Sequence, residues 1–247
     1  MSNKRVALIT GANKGIGFAI ARQLGDRNHA VIVGCRDLER GELAAMELRG
    51  AGIEARSLRL DVTLDDSVTE AMQNVKLREG RLDVLVNNAG MHFGPPPVAS
   101  QESIDQIRQM FETNVFGALR VTQTFLPLLR KSDAARIVMM SSGLGSLDMT
   151  LDMRSENWGV GFAGYCASKT ALNMLTIKLA KELDREGIKV NAADPGLTST
   201  DLTGNGPGHP AAMGARTPVA LATLSPFGPT AGFFACAPSG DLVRQPW

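Results

Sequence analysis

Short, nearly continuous apolar runs alternate with longer amphipathic segments along most of this chain. The first four runs are rich in β-branched residues: "RVALIT" (5–10), "HAVIVGCR" (29–36), "ARSLRLDV" (55–62) and "LDVLVNNAG" (82–90). Strands that are apolar on both faces and separated by helices form a parallel sheet that is covered on both sides. Because such crossovers are right-handed, the alternation predicts a doubly wound α/β fold.

The second half of the chain continues the pattern. Further strands are predicted in "ARIVMMSS" (135–142), "KVNAADPG" (189–196) and "TAGFFACAP", with a long helix in "YCASKTALNMLTIKLAKELDREG". Three prolines at 95–97 predict an extended loop. No repeat or composition shift marks a second domain. We therefore expect residues 1–247 to form one Rossmann-type domain, with about seven strands in a parallel sheet.

Composition and charge exclude several classes of function. The 247 residues carry a net charge of +1 and no block of like charges, which argues against a nucleic-acid surface or a polybasic membrane anchor. The first apolar run stops at Thr10 and is too short for a signal peptide or a membrane span. Three cysteines and three histidines have no metal-ligand spacing. We expect a cytoplasmic protein with reduced thiols and no metal.

A glycine-rich stretch, "TGANKGIG" (10–17), joins the first predicted strand to the first helix. Gly11 allows a sharp turn, Gly15 lets the backbone approach a pyrophosphate, and Gly17 permits close packing of helix on strand. The helix N-terminus then presents unpaired N–H groups to the anion. The G-x-x-x-G-x-G spacing in this position predicts a dinucleotide site.

The end of the second strand bears on which nicotinamide cofactor binds. A carboxylate there accepts from the ribose 2′-OH of NAD, whereas a cation favours the 2′-phosphate of NADP. The strand ends in Cys35-Arg36-Asp37, and Lys14 in the glycine loop can approach the same phosphate. Two cations favour NADP(H). Asp37 leaves an alternative open, in which it is the ribose ligand of NAD.

The chain has a single tyrosine, Tyr165, and a lysine follows it four positions later. The i, i+4 spacing places Tyr165 and Lys169 on one face of a helix. A free phenol has a pKa of about 10, and a nearby ammonium lowers it toward neutrality. The pair is therefore a candidate proton donor and its modulator, although most such pairs are surface neighbours on a helix.

Several further motifs give this pair a context. "TGANKGIG", "NNAG" (87–90), Asn114, Ser141-Ser142, "YCASK" and "PGLTST" (195–200) occur in the order of the short-chain dehydrogenase/reductase family, which the whole chain resembles. Three segments, "GANKGIGFAIARQL", "GCRDLERG" and "DPGLTSTDLTG", are most similar in sequence to the carbonyl reductase branch of that family.

The resemblance implies four catalytic residues. Tyr165 would protonate the substrate oxygen as hydride arrives, and Lys169 would lower the tyrosine pKa and bind the nicotinamide ribose. Ser142 would polarise the carbonyl, and Asn114 would hold a water that links Lys169 to solvent. Structural alternatives stay open, because the serines can simply end a strand and Asn114 can bond the backbone of a kinked helix.

The resemblance also implies a set of cofactor contacts. Asp61 and Val62 would meet the adenine, the "NNAG" turn the adenosine ribose, the Pro195 turn the nicotinamide carboxamide, and Thr200 the phosphates. The full set is Gly11, Asn13, Lys14, Gly15, Ile16, Gly17, Arg36, Asp61, Val62, Asn88, Ala89, Gly90, Tyr165, Lys169, Pro195, Gly196, Thr198 and Thr200.

Three features depart from compact members of the family. An insertion is predicted at about 143–164, and a similar but longer one in the carbonyl reductase branch covers the tetramer surface, which favours a monomer. A Gly- and Pro-rich segment at about 197–218 predicts a mobile substrate lid. Asp194 stands where a small or neutral residue is common, and it either tunes substrate preference or caps a turn.

Together these observations predict an NADPH-dependent carbonyl reductase, which transfers hydride to a ketone, aldehyde or quinone with Tyr165 as general acid. Its partner is a small-molecule carbonyl substrate, and we expect neither nucleic acid nor membrane. Two alternatives remain. One is an NAD-dependent alcohol dehydrogenase of the same fold, and the other is a non-catalytic NADPH-binding sensor.

Overall fold

A computed structural model describes residues 4–94, 98–155 and 157–247, so the predicted extended loop at 95–97 lies outside the described residues. Within these ranges, one sheet of eight strands has the order β3-β2-β1-β4-β5-β6-β7-β8. The strands are β1 Arg5–Thr10, β2 His29–Cys35, β3 Ala55–Arg59, β4 Val84–Asn87, β5 Arg136–Met140, β6 Lys189–Ala193, β7 Phe233–Cys236 and β8 Leu242–Arg244.

Helices connect these strands and cover both faces of the sheet. They are α1 Gly15–Asp26, α2 Leu38–Gly50, α3 Asp65–Arg78, α4 Ile104–Phe111, α5 Ala118–Leu129, α6 Leu147–Leu151, α7 Ala163–Leu183, α8 Ala211–Gly214 and α9 Arg216–Ala222. A π-helical turn, Glu112–Gly117, joins α4 to α5 without a break. The predicted α/β doubly wound fold is confirmed.

The prediction of about seven strands was one too few. The first seven strands are parallel, and β8 is added antiparallel to β7 at the edge, with Ala235 opposite Val243. Its three residues are half-buried to exposed. A short edge strand has no continuous apolar run, because one side of it faces solvent, and for that reason the sequence pattern does not reveal it.

Two apolar layers hold the sheet between its helices. Leu8 of β1 faces a core that contains Phe125 of α5, whereas the next residue, Ile9, faces a second core that contains Ile20 of α1. All four side chains are at most 2% exposed. Successive strand residues thus point into opposite apolar layers, which is why the sequence shows continuous rather than alternating apolar runs.

The direction in which the sheet grows reverses after β3. β1 is paired with β2 on one side and with β4 on the other, in both cases in parallel. The connections that leave the carboxyl ends of β1 and β4 therefore run to opposite faces of the sheet. A crevice lies between these two strand ends. Open α/β sheets bind their ligands in this crevice.

The structure refines two predicted boundaries. α7 begins at Ala163, so the last two residues of the predicted insertion at 143–164 belong to the helix, and α6 lies inside the insertion. The segment predicted as a lid at 197–218 contains a 3-10 turn, Asp201–Thr203, and α8, and its last three residues open α9.

Candidate active site

The glycine loop after β1 has the backbone that the sequence predicts. Gly11 and Gly15 have φ of +64° and +56°, which side chains rarely adopt. A Cβ on Gly17 would lie 2.4 Å from the carbonyl oxygen of Gly11. Lys14 precedes α1 without making a side-chain cap. The first amides of α1 are therefore left for a ligand.

The turn after β4 braces this loop. The Thr10 hydroxyl accepts hydrogen bonds from the backbone amides of Asn88 at 2.9 Å and Ala89 at 2.8 Å. In return, Nδ2 of Asn88 donates to the carbonyl oxygen of Thr10 at 2.8 Å. The "NNAG" motif thus has a structural task of its own, since it fixes the loop that the pyrophosphate would contact.

A cleft with about 1340 Å³ of empty space opens along this edge of the sheet. Most of the predicted cofactor residues line it: Gly11, Asn13, Lys14, Gly15, Ile16, Gly17, Arg36, Asp61, Val62, Asn88, Ala89, Gly90, Tyr165, Lys169, Pro195 and Thr200. Among the described residues that line the cleft, Gly196, Thr198, Asn114 and Ser142 do not appear. Residues that the sequence did not indicate also line the cleft: Cys35, Leu60, Thr63, Met91, Thr113, Met140, Ser141, Asp201 and Leu202.

Tyr165 and Lys169 lie together at one end of this cleft, on the first turns of α7. Nζ of Lys169 lies 5.5 Å from the centroid of the tyrosine ring and donates a 2.7 Å hydrogen bond to the carbonyl oxygen of Met140. The lysine is 4% exposed. Tyr165 and Lys169 thus share one face of the helix, as their spacing predicts. The ammonium is buried between α7 and the end of β5.

The pKa of Tyr165 departs from the expectation based on its lysine neighbour. Burial is the largest influence and raises this pKa well above its ordinary value, while a hydrogen bond with the Ser142 side chain lowers it and the charge of Asp194 raises it further. Burial also lowers the pKa of Lys169 to about 8. Desolvation of the phenolate therefore dominates in the protein alone, and a lowered phenol pKa with the cofactor bound stays a prediction.

The two serines after β5 have different partners. Ser141 is 3% exposed and donates a 2.6 Å hydrogen bond to Oδ1 of Asn173 on α7. Ser142 accepts from the amide of Leu144 at 3.2 Å and bonds the Tyr165 side chain. The first serine ties the strand to the helix, and the second faces the tyrosine.

Asn114 is buried in the π-helical turn, a feature that often marks functional positions. Its Oδ1 accepts from the amide of Met91 at 2.8 Å, and its Nδ2 donates to the Met91 carbonyl oxygen and to the Ser168 hydroxyl. The side chain thus joins the loop after β4 to α7. These bonds have a structural role, although they go to the loop after β4 and to α7 and not to the backbone of a kinked helix, which was the alternative left open.

Charged groups gather along the cleft beside the glycine loop and the end of β2. Lys14 forms a 2.6 Å ion pair with Asp201, which the sequence did not indicate. Arg36 is exposed and forms no salt bridge within the described part of the chain. Asp37 caps α2 by accepting from the amide of Arg40 at 3.1 Å and also pairs with the Arg40 side chain. The carboxylate considered as a ribose ligand is thus engaged by its own helix.

The turn after β6 continues into the segment that passes over the cleft. Gly196 has a φ of +68°. The buried Thr198 hydroxyl donates to the Gly196 carbonyl oxygen at 3.1 Å. Thr200 caps the Asp201–Thr203 turn, and its methyl carbon lies 3.5 Å from where a Cβ of Gly15 would stand. This segment therefore lies close against the glycine loop.

Two aromatic residues beside Tyr165 were not predicted. The His92 ring lies 5.7 Å from the tyrosine ring and 5.0 Å from that of Phe162, edge to face in both cases. Nδ1 of His92 is buried without a hydrogen-bond partner among the described residues. Phe162 has a φ of +61° immediately before α7. No local sequence pattern indicates these contacts, because they join segments about 70 residues apart.

A serine, a tyrosine and a lysine that meet beside a dinucleotide cleft define a nicotinamide-dependent oxidoreductase. The family model described as short chain dehydrogenase matches residues 5–208. The chain therefore belongs to the short-chain dehydrogenase family, and the predicted family is confirmed.

Individual relatives support this assignment. The short-chain dehydrogenase anuI of Penicillium roqueforti is 38% identical over 228 residues, which cover 89% of each chain. Among solved structures, salutaridine reductase from Papaver somniferum is 26% identical, with a TM-score of 0.79 over 93% of this chain and 99% of that one. A gluconate 5-dehydrogenase from Burkholderia cenocepacia, 24% identical, shares the fold with a TM-score of 0.80 over 94% of this chain and 92% of its own.

Two kinds of feature are absent from the described part of the chain. None of the helices in the ranges that the structure describes is long and apolar enough to cross a membrane. The same ranges contain no cluster of three or more His, Cys, Asp or Glu side chains able to hold a metal ion.

Proposed function

We propose that this protein is an NADPH-dependent carbonyl reductase of the kind to which its motifs are most similar. The observation that carries the proposal is the meeting of Ser142, Tyr165 and Lys169 at the end of a cleft whose other end is the glycine loop. A dinucleotide lying in the cleft would bring its nicotinamide to the tyrosine, and a carbonyl substrate would enter beside His92 and Phe162.

The residues present fit such a cofactor. Two glycines with positive φ and the uncapped start of α1 form a cradle for a pyrophosphate, and a Cβ at Gly17 would fill space that the loop needs. Bound there, NADPH would supply the hydride. Lys169 would hold the nicotinamide ribose, and the turn at Pro195, Gly196 and Thr198 would meet the carboxamide.

The protein's own residues would handle the proton and the substrate oxygen. Burial keeps the Tyr165 hydroxyl protonated at neutral pH, so it is ready to donate to the oxygen of a substrate carbonyl. The Ser142 hydroxyl would hydrogen-bond the same oxygen and stabilise the negative charge that develops there. Asn114 holds the loop after β4 against α7, and it would thereby keep Lys169 and its link to solvent in place.

The preference for NADP(H) rests on charge. Lys14 and Arg36 both line the cleft beside the end of β2, and Arg40 lies close by. The alternative cofactor, NAD held by Asp37, is disfavoured because this carboxylate caps α2 and pairs with Arg40. A carboxylate with both roles is less available to a ribose.

The location and assembly belong to the same proposal. We propose a cytoplasmic protein, in keeping with three free cysteines, and a monomer, in keeping with the insertion that precedes α7. Light scattering on the purified protein tests the assembly directly. A tetramer would contradict the role given to the insertion.

The test of the proposed function is loss of reduced-nicotinamide absorbance with a panel of dicarbonyls, ketones, aldehydes and quinones. Wild type and Tyr165→Phe are compared with NADPH and with NADH. Turnover with NADPH that falls by at least about 100-fold in the variant would support three assignments together: the reductase activity, the cofactor NADPH and the role of Tyr165 as the acid. Turnover with NADH alone would reject the cofactor assignment, and tight NADPH binding without turnover would favour the sensor alternative.

A further inference from the structure

The helix that carries Tyr165 and Lys169 has no capping residue of its own. α7 follows Phe162, whose side chain has no hydrogen-bond acceptor, and its first turn contains no acidic residue. The first amides of a helix lack partners within the helix, and a side-chain oxygen usually satisfies the second or third of them. The start of α7 therefore depends on an acceptor from elsewhere in the fold.

Glu102 supplies this acceptor from the segment that directly precedes α4. Its Oε2 accepts a 2.9 Å hydrogen bond from the amide of Gly164, the second residue of α7. The two residues are 62 positions apart, so the bond joins distant parts of the chain. A carboxylate at this end of a helix also interacts favourably with the helix dipole. Glu102 thus caps α7 from another segment.

Gly164 allows the first turn of α7 to lie directly on α4. A Cβ at this position would stand 2.6 Å from Cε of Met110, 2.7 Å from Cγ1 of Ile107 and 2.9 Å from Oε1 of Glu102. Any side chain there would require its neighbours to shift. The cap and the close packing of the two helices therefore meet at the residue that precedes Tyr165.

A second set of contacts holds α7 one turn further along. Nδ2 of Asn114 donates a 3.0 Å hydrogen bond to the Ser168 hydroxyl, which donates in turn to the carbonyl oxygen of Tyr165 at 2.7 Å. Together with the bond from Gly164 to Glu102, these contacts fix the helix before and after the tyrosine. Uncapped helix ends fray. Without the cap, the phenol would therefore lose its fixed place in the site.

We propose that Glu102 is a positioning residue, which caps α7 through its carboxylate and thereby fixes the Tyr165 hydroxyl for proton donation to the substrate. This inference rests on the proposed role of Tyr165 as the acid. Misplacement of a reacting group by about 1 Å can reduce a rate by about 100-fold. The cap should therefore affect kcat, whereas cofactor affinity depends chiefly on the glycine loop and should change little.

Three substitutions at Glu102 separate the hydrogen bond from the charge. Glu102→Gln keeps an oxygen at the same reach without the charge, Glu102→Asp keeps the charge on a shorter side chain, and Glu102→Ala removes both. Hydrogen–deuterium exchange of the Gly164 amide, followed by NMR, reports on the bond independently of activity. Exchange should be about tenfold or more faster in Glu102→Ala and Glu102→Asp, and within about threefold of wild type in Glu102→Gln.

The rate of carbonyl reduction should follow the same order. With NADPH, kcat should fall by about 10- to 100-fold in Glu102→Ala and Glu102→Asp, and by no more than about threefold in Glu102→Gln. The Kd for NADPH should stay within about twofold of wild type in each variant, since the glycine loop is unchanged. Glu102→Asp provides the comparison if Glu102→Ala does not fold. A matched control is Asp105→Asn, which removes an exposed carboxylate that pairs with Arg108 within α4 and should alter neither readout.

The outcomes distinguish this inference from the proposed function. Unchanged exchange of the Gly164 amide in Glu102→Ala and Glu102→Asp would overturn the inference, whatever the activity. Faster exchange with unchanged kcat would also overturn it, because the cap would then serve stability alone. Equal losses of kcat in Glu102→Gln and Glu102→Ala would assign the effect to charge and reject the hydrogen bond as its cause. Faster exchange in a protein that reduces no carbonyl would support the cap and reject the proposed function.

Discussion

Nζ of Lys14 lies 2.6 Å from Oδ2 of Asp201, so an ion pair joins the glycine loop to the segment that passes over the cofactor cleft. Both side chains are more than half exposed, so solvent and salt screen the attraction between them. A phosphate that binds Lys14 must compete with Asp201 for the ammonium. Binding of a cofactor phosphate to Lys14 would therefore weaken the contact between the glycine loop and the overlying segment.

The first prediction concerns this competition. Asp201→Asn should lower the Kd for NADPH by roughly two- to fivefold, because Lys14 is released, and should leave the Kd for NADH unchanged. Lys14→Ala should raise the Kd for NADPH by about tenfold or more through loss of a charged hydrogen bond. Fluorescence titration measures both, with Glu186→Gln as a control that breaks an exposed pair with Arg130 elsewhere. Equal effects on the two cofactors would contradict a phosphate role for Lys14.

The second prediction concerns the buried ammonium of Lys169. Its pKa of about 8, against an ordinary 10.5, means that the unfolded chain binds more protons between these values, so stability should rise with pH across this window. Lys169→Met removes a charge that is costly to bury and should stabilise the protein at neutral pH by up to about 3 kcal/mol, while turnover is lost. Denaturant unfolding at several pH values measures the difference, which should shrink toward pH 10.5. Lys178→Met, at an exposed site on the same helix, should change stability by no more than about 0.5 kcal/mol.

The third prediction separates the two serines after β5. Ser142→Ala should reduce kcat by about 100-fold or more with little change in stability, because in the proposed function its hydroxyl would face the reacting oxygen. Ser141→Ala should lower the free energy of unfolding by about 1–3 kcal/mol, since Oδ1 of Asn173 loses its donor, and should spare most of the activity. Parallel kinetics and thermal unfolding test this contrast. The reverse pattern would exchange their roles.

The fourth prediction concerns the packing of the glycine loop. Gly17→Ala would place a carbon 2.4 Å from the Gly11 carbonyl oxygen and 2.6 Å from Nδ2 of Asn88, so the loop must shift. We expect a loss of about 1–3 kcal/mol in stability and a sharp loss of cofactor affinity. Gly50→Ala, where the new methyl meets nothing within 4 Å, should be neutral or stabilising by up to about 1 kcal/mol. Intact affinity in Gly17→Ala would show that the loop does not hold the pyrophosphate.

Local patterns of sequence predicted much of this architecture. The first seven strands and the long α7 helix follow from apolar periodicity, and the conformations of Gly11 and Gly15 follow from the absence of a side chain. What the sequence could not predict depends on tertiary contacts. The pairing of Lys14 with Asp201 spans 187 positions, and His92 meets Tyr165 only because the loop after β4 lies against α7.

The pKa of the tyrosine shows the same limit in energetic terms. A neighbouring lysine is visible in the sequence, whereas the extent of burial is not, and burial is the largest influence on the pKa of Tyr165. Asp194 could be noticed as a departure from the family pattern. Its contacts with the turns at Gly143 and Gly196 emerge only from the fold.

The order of strands in the sheet has a consequence for synthesis on the ribosome. Each strand except β4 pairs with the one made just before it, and β4 pairs with β1, which has already been made, so the sheet of the nascent chain can grow outward without waiting for later segments. The brace between Thr10 and the "NNAG" turn becomes available as soon as β4 has emerged. The half of the cleft that would hold adenosine can thus assemble early, whereas the catalytic half must await α7 and the turn after β6.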